Sequence, residues 1–106
     1  MIDQMDVLAL AAKQDAGESF FLLDVREPHE ADLCAIDGST LIPLGQIPNR
    51  LSEIPKDVPI VAYCHHGGRS MRAAQYLESQ GFTDISNVTG GIDQWAVQIN
   101  PDMSRY

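Results

Sequence analysis

The sequence predicts an α/β domain in which a parallel sheet is covered by helices on both faces. Two apolar runs, residues 20–25 and 59–63, are continuous rather than alternating, the mark of strands buried on both sides. Segments with helical patterning separate the strand-like ones, and parallel neighbours need such crossovers. The 106 residues, 44% hydrophobic and 21% charged, suffice for one core and not for two, so residues 1–106 read as a single domain.

Taken in order, residues 6–13 are rich in Ala and Leu, with an acid at the start and a cation at the end. They predict a short helix capped by Asp6 and ending before Gly17. The first buried strand follows at residues 20–25, and Pro28 then suits the first turn of a helix running to about residue 34. Residues 36–39 form a turn, and Thr40-Leu41-Ile42 is short and extended, closed by Pro43. Leu44, Ile47, Leu51 and Ile54 recur at three- and four-residue steps, which predicts a helix over residues 46–53 with one apolar stripe. Residues 55–59 turn into the second buried strand. Met71, Ala74, Tyr76, Leu77 and Phe82 fit an amphipathic helix over residues 71–80, with Gly81 at its C-terminal cap. Residues 85–88 are a last strand, 89–91 a turn, and 92 onward a short helix that Asn100-Pro101 stops, leaving a tail through Tyr106.

Charge and composition exclude several functions. A net charge of −8 argues against nucleic-acid or anionic-membrane binding, both of which need a clustered basic face. No apolar stretch approaches the ~20 residues of a membrane span. The acidic start, Met1-Ile2-Asp3-Gln4-Met5-Asp6, lacks an export pattern, so a reducing cytoplasm is the expected compartment. Cys34 and Cys64 are therefore expected to be thiols rather than a structural disulfide.

The chemistry concentrates at Cys64-His65-His66-Gly67-Gly68-Arg69-Ser70, a strand–loop–helix junction with a thiol at its first position. In parallel sheets ligands bind beyond the C-terminal ends of the strands, where this sequence places Cys64. A thiol attacks as thiolate, and its reference pKa of roughly 8.5 leaves a small ionised fraction near neutrality. Arg69 supplies a permanent cation, and the helix behind it points free N–H groups back at the loop. Gly67 and Gly68 let successive N–H groups converge on an anion. The adjacent histidines His65 and His66 lack the spacing of a metal site, and read as solvent-facing residues that donate N–H groups and set substrate access. His29 reads as a surface residue. Cys34, with no glycine nest and no neighbouring arginine in sequence, reads as a small packed hydrophobe.

Four stretches resemble the rhodanese (sulfurtransferase) family. Leu23-Asp24-Val25-Arg26-Glu27-Pro28-His29-Glu30 is similar to its DVRE…E segment. Asp37-Gly38-Ser39-Thr40-Leu41-Ile42-Pro43-Leu44 is similar to its GA…IPL stretch, with Ser39 where alanine is usual. Residues 64–69 match the CxxGxR loop, and Gly90-Gly91-Ile92-Asp93-Gln94-Trp95 the GG…W motif. Residues 100–106 are similar to the end of rhodanese domains fused to ubiquitin-activating-like adenylyltransferases; no adenylyltransferase precedes them, so the domain is expected to stand alone.

The resemblance implies a three-layer α/β/α fold with a mostly parallel sheet of about five strands. It implies that the Cys64 thiolate takes the outer sulfur of thiosulfate or a related donor. The persulfide then passes that sulfur to a thiol, cyanide or a sulfur-carrier protein, with no cofactor or metal. Backbone N–H groups of residues 65–70 would hold the persulfide, Arg69 would attract the anionic donor, and Ser70 would cap the helix. Asp24, Arg26 and Glu30 would support the loop or the fold. Three rivals remain. Cysteine phosphatases of this architecture use a C-x5-R loop, and with four residues between Cys64 and Arg69 negligible phosphatase activity is expected. A non-catalytic binding module usually lacks the cysteine. A redox role would need Cys34 within disulfide reach of Cys64.

Overall fold

The structure, a computed structural model, describes residues 1–106. Five strands, β1 (Asp3–Met5), β2 (Phe21–Asp24), β3 (Ser39–Leu41), β4 (Ile60–Tyr63) and β5 (Ile85–Val88), form one sheet in the order β1-β5-β4-β2-β3. Every pairing is parallel. The helices are α1 (Val7–Asp15), α2 (Pro28–Leu33), α3 (Gly68–Ser79) and α4 (Gly91–Gln98). No helix is long and apolar enough to cross a membrane.

Strand alternation sorts the core into two halves. Leu23, Val25, Ile60 and Ala62 face one side, where Ala73, Ala74 and Leu77 of α3 cover them. Leu22, Val61, Tyr63 and Val88 face the other, packing with Val7 and Leu10 of α1 and Ile92 and Trp95 of α4. The expected α/β/α layering is therefore present. The same parity sends the Cys64 side chain to the α3 side.

Three local readings need correction. The strand β1 is absent from the sequence reading because Asp3-Gln4-Met5 has no apolar run. It is an edge strand held by its ladder to β5, with Asp3 opposite Ser86 and Met5 opposite Val88. The helix expected over residues 46–53 is instead two 3-10 segments, Leu44–Asn49 and Leu51–Glu53. Pro48 has no N–H to donate and its ring blocks an α-helical turn, whereas the apolar stripe still buries Ile47 and Ile54. Helix α3 begins at Gly68 rather than near residue 71, so Gly68, Arg69 and Ser70 form its first turn and not a loop. Asp6 does cap α1, its carboxylate accepting the Ala9 N–H at 2.8 Å. The short α2 starts on Pro28 and buries only Glu30.

Candidate active site

Cys64 follows the last residue of β4 and is 1% exposed. Behind it the chain reverses through Gly67, whose φ of 112° is left-handed. A Cβ there would meet the Val88 carbonyl oxygen at 3.3 Å. Gly68 has no such requirement; the curl rests on Gly67 alone. The outward side of the turn is tied to α4. The Cys64 carbonyl accepts the Ile92 N–H (2.9 Å) and the His65 carbonyl accepts that of Asp93 (3.1 Å). Those carbonyls point away from the sulfur, which leaves the loop's N–H groups to point towards it. The Gly67 N–H reaches Sγ at 3.1 Å.

The thiol sits below its ordinary pKa. Burial pushes it up, but the Ser70 hydroxyl and the N–H groups of Ser70, Gly67 and His66 together outweigh that effect. Ser70 does not cap α3, since Gly67 occupies the cap position. Its hydroxyl lies 3.4 Å from Sγ and 2.5 Å from Asn87 Oδ1 on β5. A hydroxyl has one proton, so it can donate to only one of these two acceptors at a time. Asn87 in turn donates to Gln4 Oε1 on β1 (3.1 Å). Sequence patterning offered no signal for Asn87, a polar residue inside a strand.

Arg69 is differently engaged than expected. Its Nη1 and Nη2 both donate to Glu30, each at 2.7 Å, so its positive charge is first shared with that carboxylate. Glu30 also accepts the Glu27 N–H (2.9 Å) and the Tyr106 hydroxyl (3.0 Å). Hydrogen bonds from Arg69, opposed by burial, hold its carboxyl at about 2. A carboxyl depressed from 4.5 contributes stability that is complete above 4.5 and is lost as pH falls towards 2. The protein is therefore expected to lose thermal stability across this window, and Glu30→Gln to flatten the loss. Identical Tm-against-pH slopes in the two proteins would contradict the pairing.

Asp24 and Arg26 lie together beneath the site. Arg26 is fully buried, its Nε and Nη2 donating to Asp24 Oδ1 (2.9 Å) and Oδ2 (2.7 Å). Nη2 also donates to the Cys34 carbonyl (2.8 Å), and Nη1 to the Glu30 carbonyl (3.3 Å) and the Tyr106 hydroxyl (3.0 Å). Burial opposes the Arg26 charge, but hydrogen bonds to Asp24 and Tyr106 outweigh it and raise the pKa. The Tyr63 hydroxyl lies 3.1 Å from Asp24 Oδ2, and burial beside that carboxylate pushes it up to about 12. This pair never touches the Cys64 sulfur. It ties β2, α2 and β4 into one platform.

The remaining candidates separate. His66 and His29 are exposed, as expected. His65 is not solvent-facing: it is half-buried, its ring stacked on Tyr106 with centroids 3.9 Å apart, and its Nε2 has no partner. Cys34 is a free, half-buried thiol, but an arginine does adjoin it, Arg26 Nη1 at 4.0 Å. Residues 100–106 are no loose tail. Arg105 forms an ion pair with Asp93 (3.0 Å), and Tyr106 lies across His65 and Glu30.

Comparison with known proteins identifies the family and the fold. The rhodanese-like domain family matches residues 6–98. The chain is 38% identical over 96 residues to a sulfurtransferase of Allochromatium vinosum, covering 91% of this chain and 90% of that one. It is 42% identical over 94 residues to the probable adenylyltransferase/sulfurtransferase MoeZ of Mycobacterium tuberculosis, covering 87% of this chain but 24% of that protein. The crystal structure of a rhodanese-like domain protein from Staphylococcus aureus superposes with a TM-score of 0.85 at 27% identity, over 99% of both chains. With its parallel five-stranded sheet and its thiol at the end of β4, the chain belongs to the rhodanese-like family of sulfurtransferases.

Proposed function

We propose that residues 1–106 act as one domain that moves a sulfane sulfur from thiosulfate or a related donor to a nucleophilic acceptor through a persulfide on Cys64. The observation that carries this is the Cys64 sulfur itself, buried at a strand end and facing the Gly67 N–H and the Ser70 hydroxyl. In the first step the Cys64 thiolate attacks the outer sulfur of thiosulfate. A new S–S bond forms, the donor's S–S bond breaks, and its electron pair leaves with sulfite. The terminal persulfide sulfur carries the negative charge, and the His66, Gly67 and Ser70 N–H groups that face the Cys64 thiol support its stabilisation there. In the second step cyanide, a thiol or a sulfur-carrier protein attacks that outer sulfur, and the Cys64 thiolate leaves. The kinetics are ping-pong.

Four residues between Cys64 and Arg69 make a loop suited to one sulfur and too tight for a tetrahedral phosphate ester, which supports sulfur transfer over phosphatase chemistry. A reducing cytoplasm fits a reactive, unpaired thiol. Intact mass after incubation with thiosulfate tests the proposal. The protein should gain one sulfur, lose it on adding cyanide, and gain none as Cys64→Ser. Absence of any gain with a panel of sulfur donors, or a gain that persists in Cys64→Ser, would sink it.

A further inference from the structure

The cation of the Cys64 loop is not free. Arg69 feels the charge of Cys64, yet its guanidinium is forked onto Glu30. How strongly this site attracts an anion therefore depends on how much of the Glu30 charge Arg69 must neutralise alone. Glu30 Oε1 has a second donor, the Tyr106 hydroxyl at 3.0 Å, on the same oxygen that accepts Arg69 Nη2 at 2.7 Å. That hydroxyl also accepts from Arg26 Nη1 at 3.0 Å. One oxygen atom thus links the buried Arg26 cation to the carboxylate that holds Arg69. A hydroxyl that accepts from a cation is a stronger donor, because the two bonds polarise each other.

We propose that Tyr106 is a positioning residue that sets how much positive charge Arg69 presents to an anionic substrate at Cys64, and so favours anionic sulfur donors over neutral ones. The placement of Tyr106 is built in. The Arg105–Asp93 ion pair and the Met103 N–H bond to the Asn100 carbonyl fold the segment back, and the Tyr106 ring lies parallel to His65 at 9°. Tyr106 remains 40% exposed, so it fills little of the core, whereas its hydroxyl joins two ion pairs. Without the hydroxyl, Glu30 draws more heavily on Arg69, and the field at Cys64 becomes less positive.

This inference rests on the reading of Cys64 as the reacting thiolate, and its test uses no sulfur donor. Iodoacetate and iodoacetamide alkylate a thiolate by the same displacement of iodide and differ in charge. Their rates at Cys64, followed by peptide mass, give a ratio from which the thiolate fraction cancels. In Tyr106→Phe, which keeps the ring on His65, the iodoacetate-to-iodoacetamide ratio should fall roughly three- to tenfold, the scale of one ordinary net hydrogen bond, because only part of the change at Glu30 reaches Cys64. The iodoacetamide rate should fall less, by no more than the thiolate fraction that the weaker field at Cys64 removes. An unchanged ratio, or an equal fall with both reagents, overturns the proposal. So does a ratio that falls only in Tyr106→Ala, because the stack rather than the hydroxyl would then be responsible. A failure of thiosulfate to load Cys64 would sink the proposed function and leave this ratio unaffected.

Discussion

Arg26→Met should destabilise the fold by about 3–5 kcal/mol, the usual consequence of removing one partner from a buried ion pair. Arg26 is 0% exposed and Asp24 1%, so water cannot replace the lost guanidinium. The Asp24 carboxylate would keep only the Arg26 backbone N–H and the Tyr63 hydroxyl. The Cys34 carbonyl and the Tyr106 hydroxyl would lose their donor as well. For a domain whose total stability is of order 5–15 kcal/mol, that is a large share. Urea unfolding measures it, and a loss below about 1 kcal/mol would show that the pair is not the structural joint described here. Asp24→Leu combined with Arg26→Met should recover part of the loss, because no uncompensated charge then remains. A double variant no more stable than the single one would place the cost in packing instead.

Gly91→Ala should disable the site more than it unfolds the protein. A Cβ on Gly91 would lie 2.4 Å from both the Cys64 and His65 carbonyl oxygens. Both are backbone atoms, so no side-chain rotation relieves the clash. The φ of 56° adds roughly 1–2 kcal/mol for a residue with a Cβ. The least costly response is for α4 to move off the loop, breaking the Ile92 and Asp93 N–H bonds that turn those carbonyls outward. The loop N–H groups then lose their aim at Sγ. A misplacement of this kind can lower a rate on the order of 10²-fold, read here as sulfur uptake or iodoacetamide alkylation at Cys64. Wild-type reactivity in a folded Gly91→Ala protein would show that the contact with α4 does not shape the loop.

How much of this was legible beforehand depends on distance along the chain. Local patterns carried the buried strands, the amphipathic stripe of α3, the Asp6 cap and the junction holding Cys64. Each of these depends on neighbours within a turn or a pleat. The segment at residues 44–53 was legible as apolar stripe but not as helix type, because Pro48 overrides a period that its neighbours satisfy. The edge strand β1 was not legible at all, because its pairing with β5 spans most of the chain.

By itself, the sequence determined the layered α/β architecture, the placement of Cys64 at the end of a buried strand, and the four-residue spacing between Cys64 and Arg69. Only the tertiary structure decided what each polar group at the site does. Arg69 looked like a free cation until the fold brought Glu30 to it across 39 residues, and Ser70 looked like a cap until Asn87 was set beside it from β5. Tyr106 looked like the end of a tail, yet it reaches back 76 residues to Glu30. Hydrogen-bond partners so far apart leave no period in the sequence, and a polar group's role is set by the partner that shares its proton or its charge.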